Sequence, residues 1–190
     1  MTPIVVLHDV GATSGPWRTA FQGWPDDVCA PDLVIDGASG DRTDIIWGLL
    51  EPMEERRDRA PVVVGCGEHS LAAETFAFAG WCGGLVLVDG LGGAWTSPEQ
   101  QIVEQNKWLR AKFDDPDHLG YPHVWIESFA AAMRRNIRCP VLVVETGASL
   151  TAPEDADRRL QQFAGEARLV RLESPDAGQV AAVVTEWVGS

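Results

Sequence analysis

Hydrophobic positions along the chain fall into short, unbroken runs. They occupy residues 4–8 (IVVLH), 28–30 (VCA), 61–64 (PVVV), 84–89 (GLVLVD), 140–145 (PVLVVE) and 167–172 (ARLVRL), each bounded by Gly, Pro or charged residues. Runs this short, rich in β-branched residues and largely without polar alternation, predict strands buried on both faces. Between them apolar positions recur at helical spacing. Pro16 begins a helix carrying Trp17, Phe21 and Trp24, and Asp41 or Thr43 caps one bearing Ile45, Ile46, Leu49, Leu50 and Met53. Pro52 predicts a kink or early stop there, and the charged residues 54–59 read as a solvated helix end. An alanine-rich helix is expected over 71–79, and further helices over 153–163 and 176–188. About six short strands alternating with helices predict an α/β fold, a mainly parallel sheet covered on both faces.

One stretch breaks the alternation. Residues 91–138 contain no strand signal. Ser97 caps a helix with Pro98 at its first position and an apolar stripe of Ile102, Val103, Trp108 and Leu109. A polar loop over 114–123 and a second helix over 124–137 follow. The excursion reads as a small helical lid inserted after one strand of a single domain spanning 1–190. No internal repeat or linker is visible.

Composition narrows the partners. With 190 residues and 45% hydrophobic content, the chain can bury a sizeable core. Its 15 basic and 28 acidic residues leave a net charge of −13, which repels phosphate backbones and anionic lipid; nucleic acid and membrane are not expected partners. No apolar run approaches the ~20 residues that span a bilayer, and MTPIVVLHDV has no basic leader region, so no signal peptide is expected. Cys29, Cys66, Cys82 and Cys139 lie far apart without C-x-x-C or zinc-like spacing. They read as reduced thiols of a cytoplasmic protein, and neither metal nor cofactor is expected.

The chain is organised around residues 61–71, PVVVGCGEHSL, where a strand passes through Gly65, Cys66 and Gly67 into a helix. That stretch resembles the nucleophile elbow of the α/β-hydrolase superfamily. Five further segments match the superfamily in order: VVLHDVGATSGPW its first strand and oxyanion loop, VCAPDL the next strand, and GLVLVDG the strand leading to the lid. CPVLVVETGASLTAPED is similar to the acid-bearing strand and loop, and ARLVRLES to the last strand. The resemblance implies an α/β-hydrolase-like fold without the usual N-terminal hairpin, and a crevice at the carboxyl ends of the strands under the lid. It places the nucleophile on Gly67 and the acid on Ser149. The histidine loop falls on 174–179 (SPDAGQ), which holds no histidine, and Asp9 stands where the oxyanion loop expects glycine. The residues of such a triad act as a unit, so the resemblance is to a degenerate member unsuited to ordinary ester or amide hydrolysis.

Other residues offer chemistry. Glu68 and His69 follow the elbow centre, and a histidine in place of the second elbow glycine is expected to crowd the turn. If its ring faces the crevice, His69 can act as an acid/base with Asp9 or Glu68; otherwise it bonds backbone at a helix start. Cys66 precedes the nucleophile position and reads as a buried thiol or, with a lowered pKa, as a nucleophile. His8, Val10 and Asp89 lie at or beside strand ends, where His8 and Asp89 can equally be structural. His118, Tyr121 and His123 belong to the lid loop. Eight tryptophans are present, among them Trp17, Trp95, Trp108 and Trp125, and they suit either a flat apolar ligand or packing of the lid. The expected function is binding of a small apolar or aromatic molecule in the crevice, lined by His8, Val10, Trp17, Cys66, Gly67, Asp89, Trp95 and Trp125. An alternative is non-hydrolytic catalysis (cyclisation, isomerisation, decarboxylation or elimination) by Asp9, Glu68 and His69. A second alternative is a non-catalytic interaction subunit, forming a homodimer or meeting a protein partner through the lid.

Overall fold

The computed structural model describes residues 2–8, 13–32, 42–90, 97, 99–100, 103, 107, 130–149, 152–174 and 176–190. Asp9, Val10, Trp95, Trp125 and most of the expected lid lie outside them. The six apolar runs become β1 (Ile4–Leu7), β2 (Val28–Cys29), β3 (Val62–Cys66), β4 (Gly84–Val88), β5 (Val141–Glu145) and β6 (Ala167–Arg171). They form one parallel sheet in the order β2-β1-β3-β4-β5-β6. Strand β5 starts one residue after Pro140, which has no N–H for the ladder but whose carbonyl accepts from Leu85 N at 3.0 Å.

Helices α1 (Gly15–Ala20), α2 (Arg42–Glu54), α3 (Ser70–Phe78), α4 (Ala130–Arg134), α5 (Pro153–Leu160) and α6 (Ala177–Gly189) join the strands. Alternate strand residues feed two separate cores. On β5, Val141 and Val143 face a core shared with Leu49 and Met53 of α2, Leu71, Ala72 and Phe76 of α3, and Met133 of α4. Leu142 and Val144 face the other, with Phe21 after α1 and Val180, Ala181 and Val184 of α6. Helices cover both faces, and β1, β3, β4 and β5 are buried along their whole length; the edge strands β2 and β6 are not, being half-buried or exposed because each has a neighbour on one side alone.

Local differences from the sequence expectation have identifiable causes. Helix α2 runs through Pro52 to Glu54 rather than stopping. The proline sits in its last turn, and the Pro52 carbonyl accepts from Arg56 Nη1 at 3.1 Å. The charged segment after it is not simply solvated, because Arg56 Nε donates to Asp27 Oδ2 at 2.6 Å and closes the end of α2 onto the start of β2. Helix α4 ends at Arg134, three residues before the expected Ile137. Ser97 Oγ accepts from Gln100 N at 3.2 Å, the capping bond expected there.

Candidate functional site

Strand β1 has β2 on one side and β3 on the other, so the chain reverses its winding direction between β1 and β3. In parallel α/β sheets the crevice outside the carboxyl ends at that point is the usual ligand site. The end of β1 and the turn from β3 to α3 border it, and the ends of β4 and β5 follow along the same edge of the sheet.

The β3–α3 turn is tight because two glycines allow it. A Cβ on Gly65 would lie 2.6 Å from Ala73 Cβ and 2.9 Å from the His69 carbonyl, so only glycine lets α3 fold back against the strand. Gly67 has φ +49, a left-handed conformation that side chains rarely adopt. A 3-10 turn over Gly67–His69 then leads into α3. Gly67, Glu68 and His69 are all buried. The His69 ring bonds backbone across the site: Nδ1–H donates to the His8 carbonyl at 2.6 Å and pins the turn to the end of β1. With the proton on Nδ1, the lone pair of the neutral ring lies on Nε2.

The remaining predicted residues separate. Cys66 is 4% exposed and belongs to the apolar core on the α1–α6 face. Trp17 is half-buried on α1, stacks on Phe21 with ring centroids 6.5 Å apart, and packs against that same core. His8 directly follows β1 and is buried. Asp89, just beyond β4, has φ +45, and its carboxylate accepts from Thr146 N and Thr146 Oγ1, both at 2.6 Å. That pair of bonds holds a non-glycine residue in a left-handed conformation and ties the β4 end to the β5 end.

Two constellations are absent from the sequence reading. Glu145, the last residue of β5, is 6% exposed and accepts from the Ser149 hydroxyl. Burial raises its pKa above the ordinary 4.5, the Ser149 bond and Arg159 working against the shift and Asp89 adding to it. Behind it, on the α3 side of the sheet, Glu74 receives Arg134 Nε at 3.0 Å, Arg134 Nη2 at 3.1 Å and Arg159 Nη2 at 3.2 Å. All three side chains are fully buried. Arg134 is pushed down to about 10 by that burial, against the pull of Glu74. Gly90 leaves room for Arg159: a Cβ there would stand 2.7 Å from its Nη2. The sequence held one signal for each group, a lone Glu in the alanine- and phenylalanine-rich α3 and a Glu closing an otherwise aliphatic strand.

No protein-family model matches the chain, and no curated protein matches it in sequence. Solved structures do. A structure from "LipS and LipT, two metagenome-derived lipolytic enzymes" superposes with a TM-score of 0.70 at 13% identity, over 99% of this chain and 93% of that one. An alpha/beta hydrolase from Sphaerobacter thermophilus superposes with 0.63 at 16% identity, over 98% and 92%. The thioesterase domain from the curacin biosynthetic pathway gives 0.65 at 15% identity, over 100% and 91%. The chain has the α/β-hydrolase fold.

Within that fold Gly67, at φ +49, stands in the turn between β3 and α3. A separate groove of about 530 Å³ lies at the opposite, amino ends of the strands, lined among others by Val62, Gly84, Pro140, Arg168 and Trp187. Among the described residues no three His, Cys, Asp or Glu side chains are grouped to hold a metal ion, and no helix is long and apolar enough to cross a membrane.

Proposed function

We propose that this chain binds a small, largely apolar molecule in the crevice at the carboxyl ends of its strands and does not act as a serine hydrolase. The observation that carries this reading is Gly67: the elbow conformation is kept, with φ +49, at a residue that has no side chain to serve as nucleophile. The matching of superfamily positions adds Ser149 for the acid and a 174–179 loop without histidine. Removing one member of a nucleophile–base–acid unit removes most of its rate, and here all three positions are changed. Titration with the neutral apolar dye Nile red tests the binding site. Saturable one-site binding is expected, weakened about tenfold by Ser149→Trp at the carboxyl ends and unaffected by Arg168→Trp in the amino-end groove. The reverse pattern would place the ligand at the wrong end of the sheet and end the reading.

A second reading rests on the His69–His8 bond. With Nδ1 committed as a donor, His69 presents Nε2 as a base, and non-hydrolytic chemistry such as isomerisation or elimination needs one positioned acid/base rather than a covalent nucleophile. Glu68 is the adjacent buried carboxyl, and Asp9 is the third candidate. Turnover of any substrate that survives in His69→Ala would eliminate this version.

A further inference from the structure

Strand β5 places four aliphatic side chains alternately in the two cores and then ends on a carboxylate. Glu145 lies 6% exposed. Its Oε2 accepts the Ser149 hydroxyl, while Oε1 is buried with no hydrogen bond among the described residues. Buried polar atoms are nearly always satisfied, and a carboxylate oxygen left without a donor is costly. The loop around it is well fixed. Thr146 donates twice to Asp89, Ala148 N donates to Thr146 Oγ1 at 3.1 Å, and Ser149 N donates to the Thr146 carbonyl at 3.1 Å. The orphaned oxygen therefore belongs to a held geometry, and Asp89 and Ser149 beside it are half-buried, so the corner reaches the outer surface.

The charges around Glu145 decide what it receives. Asp89 from the β4 end is a second carboxylate; Arg159 from α5 and Arg171 from β6 are the cations that act on it. Arg171 is taken up by the Pro153 carbonyl at 3.2 Å and Asp157 at 3.0 Å. Arg159 shares the single carboxylate of Glu74 with Arg134, so that buried group has one surplus positive charge. Two carboxylates, Asp89 and Glu145, face that one surplus. Among the described residues the corner is net negative, in a chain whose overall charge is −13, and an anion is disfavoured.

We propose that Glu145 and Ser149 form a subsite for a protonated amine on the bound molecule, the amine N–H supplying the bond that Glu145 Oε1 lacks. This rests on the reading that a ligand occupies the carboxyl-end crevice; it adds a polar, cationic end to a molecule otherwise held by apolar contact. Charge-assisted bonds of this kind are the stronger class of hydrogen bond.

Ligand-detected NMR titrations with benzylamine, benzoate and ethylbenzene on the whole protein test it. Benzylamine is expected to bind more tightly than benzoate. Its affinity should fall about tenfold in Glu145→Gln, an isosteric change that keeps an acceptor for Ser149. Ser149→Ala should weaken it severalfold, and it should also weaken as acid protonates Glu145. Ethylbenzene should be indifferent to both substitutions. Benzylamine affinity unchanged in Glu145→Gln and Ser149→Ala, or benzoate bound as tightly, would overturn the subsite while leaving the crevice reading intact. Failure of all three probes to bind, ethylbenzene included, would overturn both.

Discussion

The two faces of the sheet are built differently. On the α1–α6 face the core is aliphatic and aromatic throughout: Ile4, Val6, Val64, Val86, Leu142 and Val144 meet Phe21, Val180 and Val184. On the α2–α5 face an equally dense apolar core has a fully buried Glu74, Arg134 and Arg159 set into it. The first face needs only shape and hydrophobicity, which many side-chain combinations supply. The second depends on one carboxylate. Glu74 sits one turn into the helix that begins at the elbow, and Arg159 reaches from it to the Gly90 carbonyl at the end of β4. Among the described residues the fully buried ion group lies on the face that carries α3 and α5, and the α1–α6 face is the plain one.

The largest effect should come from removing Glu74. Glu74→Ala leaves two buried guanidinium groups without their carboxylate, and such a loss costs about 3–5 kcal/mol. Urea unfolding followed by tryptophan fluorescence measures it, and a cost under about 1 kcal/mol would mean that water reaches the arginines. On the plain face, Leu142→Ala should cost about 3 kcal/mol by lost transfer and cavity formation. The contrast sharpens when volume is preserved. Leu142→Met should cost less than about 1.5 kcal/mol, whereas Glu74→Gln keeps the shape and still forfeits the charge. A plain face as intolerant as the charged one would erase the distinction.

At the elbow the expected cost is smaller. Gly67→Ala forces a Cβ into a left-handed conformation with φ +49, worth about 1–2 kcal/mol by the same urea assay. A stabilised variant would show that the turn relaxes without glycine.

Glu145 gives the smallest effect and the one that depends on pH. Its pKa in the folded chain is above the ordinary value of 4.5, so the folded state holds the proton more tightly than the unfolded one. The associated stability is present below about pH 4.5 and is lost as pH rises through the folded-state pKa. Glutamine cannot ionise. The melting temperature of Glu145→Gln should therefore match that of the parent near pH 4 and exceed it increasingly toward pH 8. A variant that loses ground as pH rises would reverse the sign.

The four central strands were legible because each is a short run rich in Val, Ile and Leu, as burial on both faces demands; the edge strands β2 and β6 are shorter or carry arginines and are partly exposed. Their parallel order follows from the helices between them. The elbow was legible as spacing, since Gly65 and Gly67 bracket one residue at the end of a strand. The position of His69 was not: its accommodation depends on the carbonyl of His8, 61 residues away. Glu74 meets Arg134 across 60 residues and Arg159 across 85, and nothing local to either arginine marks it as that partner. Glu145 was hidden for a related reason. A glutamate ending a strand looks like its solvent boundary until the loop carrying Ser149 folds back over it. Pro52 read as a kink or early stop; the helix continues two residues beyond it, where Arg56 and Asp27 close its end.

The central claim is that the elbow carries no nucleophile. Intact-protein mass spectrometry after incubation with a fluorophosphonate, alongside hydrolysis of p-nitrophenyl butyrate, tests it most directly. The account predicts an unmodified mass and ester hydrolysis no faster than in buffer. A mass increase of one probe per chain, with hydrolysis that disappears in the labelled protein, would contradict it.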